Sequence, residues 1–174
     1  SRGMSLLNIR TIPDPVLREM CDPVTLVDAA VKKMAEDMLE TMYHAPGIGL
    51  AAPQVGITKR MLVMDVSNPD DGEDKKPYCL INPEIVWKSD ATSVYKEGCL
   101  SIPDQYADVT RAAEVRVKFQ NPTGSTEEIH ATGLLATCVQ HEIDHLNGVL
   151  FIDYLSRLKR DMILKKLQKQ QREG

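Results

Sequence analysis

Apolar residues recur along this chain in two rhythms, and the switches between them mark out its elements. Over 26–43, Val27, Val31, Met34, Met38 and Met42 fall at helical spacing, with Lys32, Lys33, Glu36, Asp37 and Glu40 between them. That pattern predicts an amphipathic helix with one apolar stripe, stopped by Pro46 and Gly47. The proline-punctuated segment 14–18 before it has room for one or two helical turns. The run 47–56 (GIGLAAPQVG) is uncharged and built of small residues, and reads as a loop; 60–66, rich in Val, Leu and Met, reads as a buried strand. The most polar stretch, NPDDGEDKKP at 68–77, predicts a surface loop. Strand-like runs follow at 78–87, 92–96, 114–120 and 127–132, the last two joined by a turn at 121–124. A second helix is predicted over about 134–146, closed by Asn147 and Gly148. A third begins near Ser156 and runs to about 172, with Leu155, Leu158, Met162 and Leu167 facing inward. Strands in the middle with helices at both ends, and no internal repeat, give an α+β fold with mostly antiparallel sheets.

Composition narrows the class. A chain of 174 residues predicts one domain, here 4–174, with Ser1, Arg2 and Gly3 ahead of Met4 read as a tag remnant. An apolar content of 43% beside 26% charged residues excludes a disordered or fibrous chain. Net charge is −4, which argues against wholesale attraction to DNA. It is unevenly spread, because 157–174 carries seven Lys or Arg against two acids and leaves −9 on the remainder. No apolar run is long enough to cross a bilayer, and the first residues lack a signal-peptide layout, so the expectation is a cytoplasmic protein that does not enter membranes. Four scattered cysteines make no disulfide framework, which leaves each thiol free to pack, react or ligate.

The sharpest chemical signal is HEIDH at 141–145. Histidines at i and i+4 project from one helical face and can grip one metal ion, while Glu142 stands where it can take a proton from water held there. His141 and His145 share a stripe with Leu134 and Cys138, so they point inward, toward a centrally placed metal-binding helix. A catalytic metal usually has three protein ligands and one open position. No histidine follows His145, and Phe151 stands where the long peptidase form of the motif has its third histidine, so the third ligand lies upstream. The candidates are His44, His130 and the cysteines 21, 79, 99 and 138. Of these, Cys99 follows a strand beside a glycine, His130 alternates along a strand as a surface residue would, His44 suits a helix end, and Cys138 suits the core or a pocket wall. A dinucleotide-binding loop is also suggested by Gly47, Gly49 and Ala52, but a helix precedes it and Pro53 follows, which is the wrong context. Gln54 supplies that loop's one neutral side-chain donor. Asp144 and Arg111 form a further candidate pair, able to support the histidines from behind.

GIGLAAPQ at 47–54, EGCLS at 97–101 and QHEIDH at 140–145, in that order and spacing, resemble the three signature motifs of peptide deformylase, in its bacterial form with a C-terminal helix. The resemblance covers nearly the whole chain. It implies removal of the formyl group from N-terminal formyl-methionine of nascent proteins, releasing formate. It implies one divalent metal held by Cys99, His141 and His145, natively Fe²⁺, with Zn²⁺, Ni²⁺ or Co²⁺ able to replace it. Glu142 is then the proton carrier, with Gln54 and the backbone N–H of Leu100 as oxyanion donors. Substrate contacts are implied for Ile48, Gly49, Tyr95, Glu97, Gly98, Leu134 and Cys138, with the main chain at Ile48 and Gly98 pairing to the peptide. By their own sequence, Ile48, Tyr95 and Leu134 suit plain core packing as well. Tyr106 stands where some resembling enzymes carry a basic residue. The basic C-terminal helix is expected to dock on the ribosome. The rival reading from the shared helix motif is a metallopeptidase.

Overall fold

The computed structural model describes residues 5–173, so the expected tag remnant at 1–3 lies outside the described residues. Helix α1 spans Ala29–His44, three residues later than the stripe alone suggests, because the Asp28 carboxylate caps it by accepting from Val31 N–H at 3.0 Å. The expected loop at 47–56 is instead a short strand, β1 (Gly49–Ala51), followed by a 3₁₀ turn at Ala52–Val55. Its small side chains fit it for burial, since Leu50, Ala51 and Ala52 are fully enclosed. Strand β2 (Met61–Met64) follows, then β3 (Tyr78–Lys88).

The residues between β3 and the next sheet strand fold away as a separate ribbon, β4 (Thr92–Cys99) paired with β5 (Ile102–Ala112). The sequence pattern misses β5 altogether, because Pro103 interrupts it and two of its inward positions, Gln105 and Arg111, are polar. Strands β6 (Glu114–Gln120) and β7 (Thr126–Thr132) close a five-stranded antiparallel sheet of order β1-β2-β3-β6-β7. Then come α2 (Gly133–Leu146), a 3₁₀ turn at Phe151–Tyr154, and α3 (Arg157–Glu173).

The sheet is covered on both faces. Met61 and Val63 turn toward Met38 and Met42 of α1, while Leu62 and Met64 turn toward Val139, Ile143 and Leu146 of α2. That two-sided burial is why β2 reads as an unbroken apolar run. A third cluster gathers Leu17, Ile102, Val109, Phe151, Ile163 and Leu167 between the ribbon, the 3₁₀ turns and α3. In α3, Ile163 and Leu167 face inward, whereas Leu158 and Met162, expected inside, are exposed. Helix α2 thus lies at the centre, with the large sheet on one side and the β4–β5 ribbon near its other face. Its end is fixed by Arg60, which donates to Leu146 O at 3.1 Å and Asn147 Oδ1 at 2.9 Å. At Gly148 the chain turns away with φ +73°, where an added Cβ would lie 2.5 Å from Arg18 O.

Candidate metal centre and active site

The ribbon brings Cys99 to α2. Cys99 closes β4, and the pairing register with β5 shifts between Gly98 and Cys99, an irregularity of the kind that re-aims a side chain. On α2, His141 and His145 are one turn apart and both buried. Cys99 Sγ sits 3.3 Å from His145 Nε2, and one ligand atom from each of Cys99, His141 and His145 lies within 4.8 Å of the others. The other candidates for third ligand are elsewhere. His130 pairs with Glu114 across the exposed sheet face, His44 ends α1 in solvent, and Cys21 and Cys79 pack in or against the core. Cys138 also packs in the core and lines the cavity described below.

These three donors suit a divalent cation: a soft thiolate and two imidazoles match the ligand number of a catalytic site. His141 holds its Nδ1 2.9 Å from Glu97 Oε1, which leaves Nε2 for the site. His145 Nδ1 and Glu142 Oε1 are buried without a hydrogen-bond partner. A buried cluster so incompletely satisfied is costly unless something completes it.

Behind the ligands stands a network the sequence only hinted at. Arg111 grips both oxygens of Glu97, through Nε at 2.7 Å and Nη2 at 3.0 Å, and reaches Asp144 Oδ2 through Nη1 at 2.9 Å. Burial favours a protonated Glu97, but the bonds from His141 and Arg111 outweigh it and hold its carboxyl below the usual range. Glu142 goes the other way: enclosed, with only its Oε2 near a partner, His141 Nε2 at 4.0 Å, it is pushed up to about 7, chiefly by burial. Burial also works against charge on both histidines. At His141 the opposing pull of Glu142, Cys99 and Glu97 prevails and the pKa rises, while His145, facing His141, Arg111 and Arg18, is held neutral.

On the opposite wall, the 3₁₀ turn presents Gln54. Its Oε1 accepts from Ala51 N–H at 2.9 Å, and its Nε2 lies 3.1 Å from Ser101 Oγ and 3.4 Å from Cys99 Sγ. The amide orientation is fixed by the backbone donor, which must meet the carbonyl oxygen, so the NH₂ group faces the thiolate. Leu100 follows Cys99 directly on the same rim.

Of these residues, Cys99, His141, Glu142, Glu97, Gln54 and Leu100 border one cavity of about 490 Å³. Ile48 and Leu134, both partly exposed, stand at its mouth with Tyr95 and Gly98, and Cys138, His141 and Glu142 lie deeper. Gly49 lies against the Glu142 carboxylate: an added Cβ would fall 2.5 Å from Glu142 Oε2 and 2.9 Å from Cys138 Sγ. Of the substrate contacts expected from sequence, Ile48, Gly49, Tyr95, Gly98, Leu134 and Cys138 line this cavity. Glu97 borders it too, but its carboxylate is spent on Arg111 and His141.

Several residues here escaped the sequence reading. Ser101 lay inside the EGCLS motif, yet nothing local marks it as the partner of Gln54. Thr137, a cavity-lining residue, sits four positions before His141, a spacing that could have found it. Phe151, noted from sequence only as standing in place of a third histidine, stacks on the His141 ring at 6.2 Å.

Three convergent candidate ligands, one thiol and two imidazoles, an adjacent carboxylate of raised pKa and an open cavity define a metal-dependent hydrolase. Comparison with known proteins carries this further. The profile of the polypeptide deformylase family matches residues 6–161, and the chain belongs to that family. It is 58% identical to the peptide deformylase of Bartonella tribocorum over 170 residues, spanning 98% of this chain and 96% of the relative. To that of Rhizobium meliloti it is 55% identical over 166 residues, covering 95% and 94%. Among solved structures, a peptide deformylase from Ehrlichia chaffeensis superposes with a TM-score of 0.92 at 42% identity, covering 97% of this chain and 98% of that one. The complex of the Ehrlichia chaffeensis enzyme with actinonin gives 0.92 at 44% identity, covering 97% and 99%.

Proposed function

We propose that residues 4–174 form one catalytic unit, in which Cys99, His141 and His145 hold a single divalent metal and the deformylase reaction runs in the adjoining cavity. The reaction adds water across the formyl C–N bond of an N-terminal formyl-methionine, releasing formate and a free amine. When bound, the metal supplies Lewis acidity toward water and the formyl oxygen. Fe²⁺ is the ion we assign, with Zn²⁺, Ni²⁺ and Co²⁺ compatible with the same donors.

The chain's own groups do the rest. Glu142 accepts a proton from the attacking water at its unpaired Oε1 and passes it to the departing amine nitrogen. A pKa near 7 suits a group that must take up and release a proton in one cycle. The Gln54 NH₂ group and the Leu100 N–H donate to the oxygen that gains charge, with Ser101 and Ala51 holding Gln54 in place. Glu97 fixes the tautomer and orientation of His141. The methionine side chain occupies the apolar part of the cavity between Ile48, Tyr95, Leu134 and Cys138, and the main chain at Ile48 and Gly98 pairs with the extended peptide.

The observation that carries this reading is the meeting of three candidate metal ligands beside a buried carboxylate whose Oε1 has no hydrogen-bond partner, at one end of an open cavity. Formate release from a formyl-Met tripeptide tests it, using protein prepared anaerobically with Fe²⁺ or reconstituted with Ni²⁺. Release should vanish on chelation and return with metal. Cleavage of unformylated peptides without formate release would favour a metallopeptidase instead.

We also infer a cytoplasmic enzyme that meets its nascent substrates at the ribosome through α3. Lys159, Lys165, Lys166, Lys169 and Arg172 are exposed on that helix, while Ile163 and Leu167 anchor it to the core. Among the described residues no helix is long and apolar enough to cross a membrane. Replacing those four lysines with glutamate should abolish ribosome co-sedimentation while leaving turnover on a tripeptide intact; unchanged co-sedimentation would refute the docking.

A further inference from the structure

One aromatic residue outside the cavity is tied to the metal centre by an unbroken set of contacts. Tyr154 closes the 3₁₀ turn after α2, with half its surface in solvent, yet its hydroxyl donates to Asp144 Oδ2 at 2.7 Å. The same oxygen accepts from Arg111 Nη1, so two donors converge on it. The Arg111 guanidinium also lies over the Tyr154 ring, 5.0 Å from its centroid. From Arg111 the path continues through both oxygens of Glu97 to His141 Nδ1. Phe151, in the same turn, stacks on the His141 ring.

We propose that Tyr154 is a positioning residue for the metal ligand His141, acting through Asp144, Arg111 and Glu97. A guanidinium is planar, so its orientation dictates where Glu97 stands. Glu97 offers one face to Arg111, and the angle of that face sets the aim of Oε1 toward His141. Asp144 and the Tyr154 ring together fix the far side of the plane. Asp144 is itself on α2, one residue before His145, but its side chain reaches back toward the ribbon. The tyrosine hydroxyl holds it there against solvent. Removing the hydroxyl frees Asp144 to swing outward, lets the guanidinium tilt, and loosens His141 without altering any ligand. Partners that bond directly to a metal-bound histidine typically change metal affinity or activity about 10–100-fold when lost. Tyr154 acts through three intermediates, so a roughly 3–10-fold effect is expected.

This inference rests on the metal reading above, and its test separates the two. Tyr154→Phe keeps the ring over Arg111 and removes only the hydroxyl. Co²⁺-reconstituted protein would be followed by its visible absorption, first for the spectrum and then for loss of metal to excess chelator. The expected result is metal release about 3–10-fold faster with an altered ligand-field spectrum, and little further change when the substitution is made in a Glu97→Gln background. Tyr43→Phe serves as a control: it removes a comparable hydroxyl bond, to Asp65 at 2.6 Å, outside this network, and should leave release unchanged. Unaltered release and spectrum in Tyr154→Phe would overturn the proposal, as would equal acceleration by Tyr43→Phe or full additivity with Glu97→Gln. Failure of the wild-type protein to bind Co²⁺ at all would overturn the metal reading itself.

Discussion

Replacing Gly49 by alanine is the smallest change that reaches the chemistry without touching a reacting group. The new Cβ would fall 2.5 Å from Glu142 Oε2, about 0.9 Å inside ordinary contact, which begins near 3.4 Å. It would also press on Cys138 Sγ at 2.9 Å. Neither neighbour has room to retreat far, because both sit on a helix packed against the sheet. The carboxylate, at the end of a rotatable side chain, gives way first. Misplacing a reacting group by about 1 Å costs on the order of 10²-fold in rate, equivalent to about 2.7 kcal/mol of barrier. Overpacking of this kind costs roughly 1–3 kcal/mol of stability. The expected variant therefore folds, binds one metal per chain and releases formate about 100-fold more slowly, with the loss in kcat rather than KM. Metal analysis, thermal unfolding and steady-state kinetics read the three quantities separately. Turnover within threefold of wild type, at full metal content, would show that Glu142 does not work from the position seen here.

Other substitutions probe other parts of the argument. Glu142→Gln removes the proton acceptor while preserving shape, and should retain metal while losing about 10²–10⁴-fold in turnover; near-normal formate release would remove the residue from its role. Cys99→Asp exchanges a soft ligand for a hard one and should shift metal preference away from thiophilic ions, checked by metal content after growth on mixed metals. Asp65 offers a test of stability against pH. Burial disfavours its charge, but bonds from Ser67, Tyr43 and the Lys76 N–H more than offset this and hold its pKa below the ordinary carboxylate value of 3.8. Its folded-state pKa is therefore below the unfolded one, so its stabilisation is complete above the unfolded value and is lost as pH falls through the folded one. Asp65→Asn should cost roughly 1–3 kcal/mol near pH 7 by urea unfolding, and the gap should narrow below about pH 4. A constant gap across that range would refute the account.

The elements whose burial follows a simple period were legible from sequence. Helix α1 and strand β2 announce themselves, and the i, i+4 histidines of α2 already imply a shared ligand. What stayed hidden has physical causes. Strand β5 conceals itself because Arg111 and Gln105 face inward, where polar residues are tolerated only with partners supplied by other elements. In α3, Leu167 faces inward as expected, but it lies four residues from Ile163 and five from Met162, and the inward partner is Ile163 rather than Leu158 or Met162. Periodicity cannot choose between them; only the position of the third core cluster does. The three metal ligands could be named because motifs resembling a known family quote them together. Of the residues that support them, Asp144 and Arg111 could be suggested, but Ser101, Phe151 and Tyr154 could not: Ser101 meets Gln54 47 positions away, and the turn that brings Phe151 and Tyr154 back onto α2 has no periodic signal.

Strands β1 and β4 have a consequence of another sort. Each ends a sheet and borders the cavity, and β1 is only three residues long. So short an edge is a poor template for aggregation, and it admits a visitor only in single file. An N-terminus already wound into a helix has its carbonyl groups committed to its own turns and is no longer extended, so it cannot lie along such an edge as a strand. With the proposed pairing of the peptide to this edge, the enzyme would compete with its substrates' own folding. A helix forms in about a microsecond, whereas synthesis supplies roughly 5–20 residues each second. The window for an extended terminus is widest while the chain is too short to bury itself, so with that pairing timing, as much as sequence, would decide which proteins lose their formyl group.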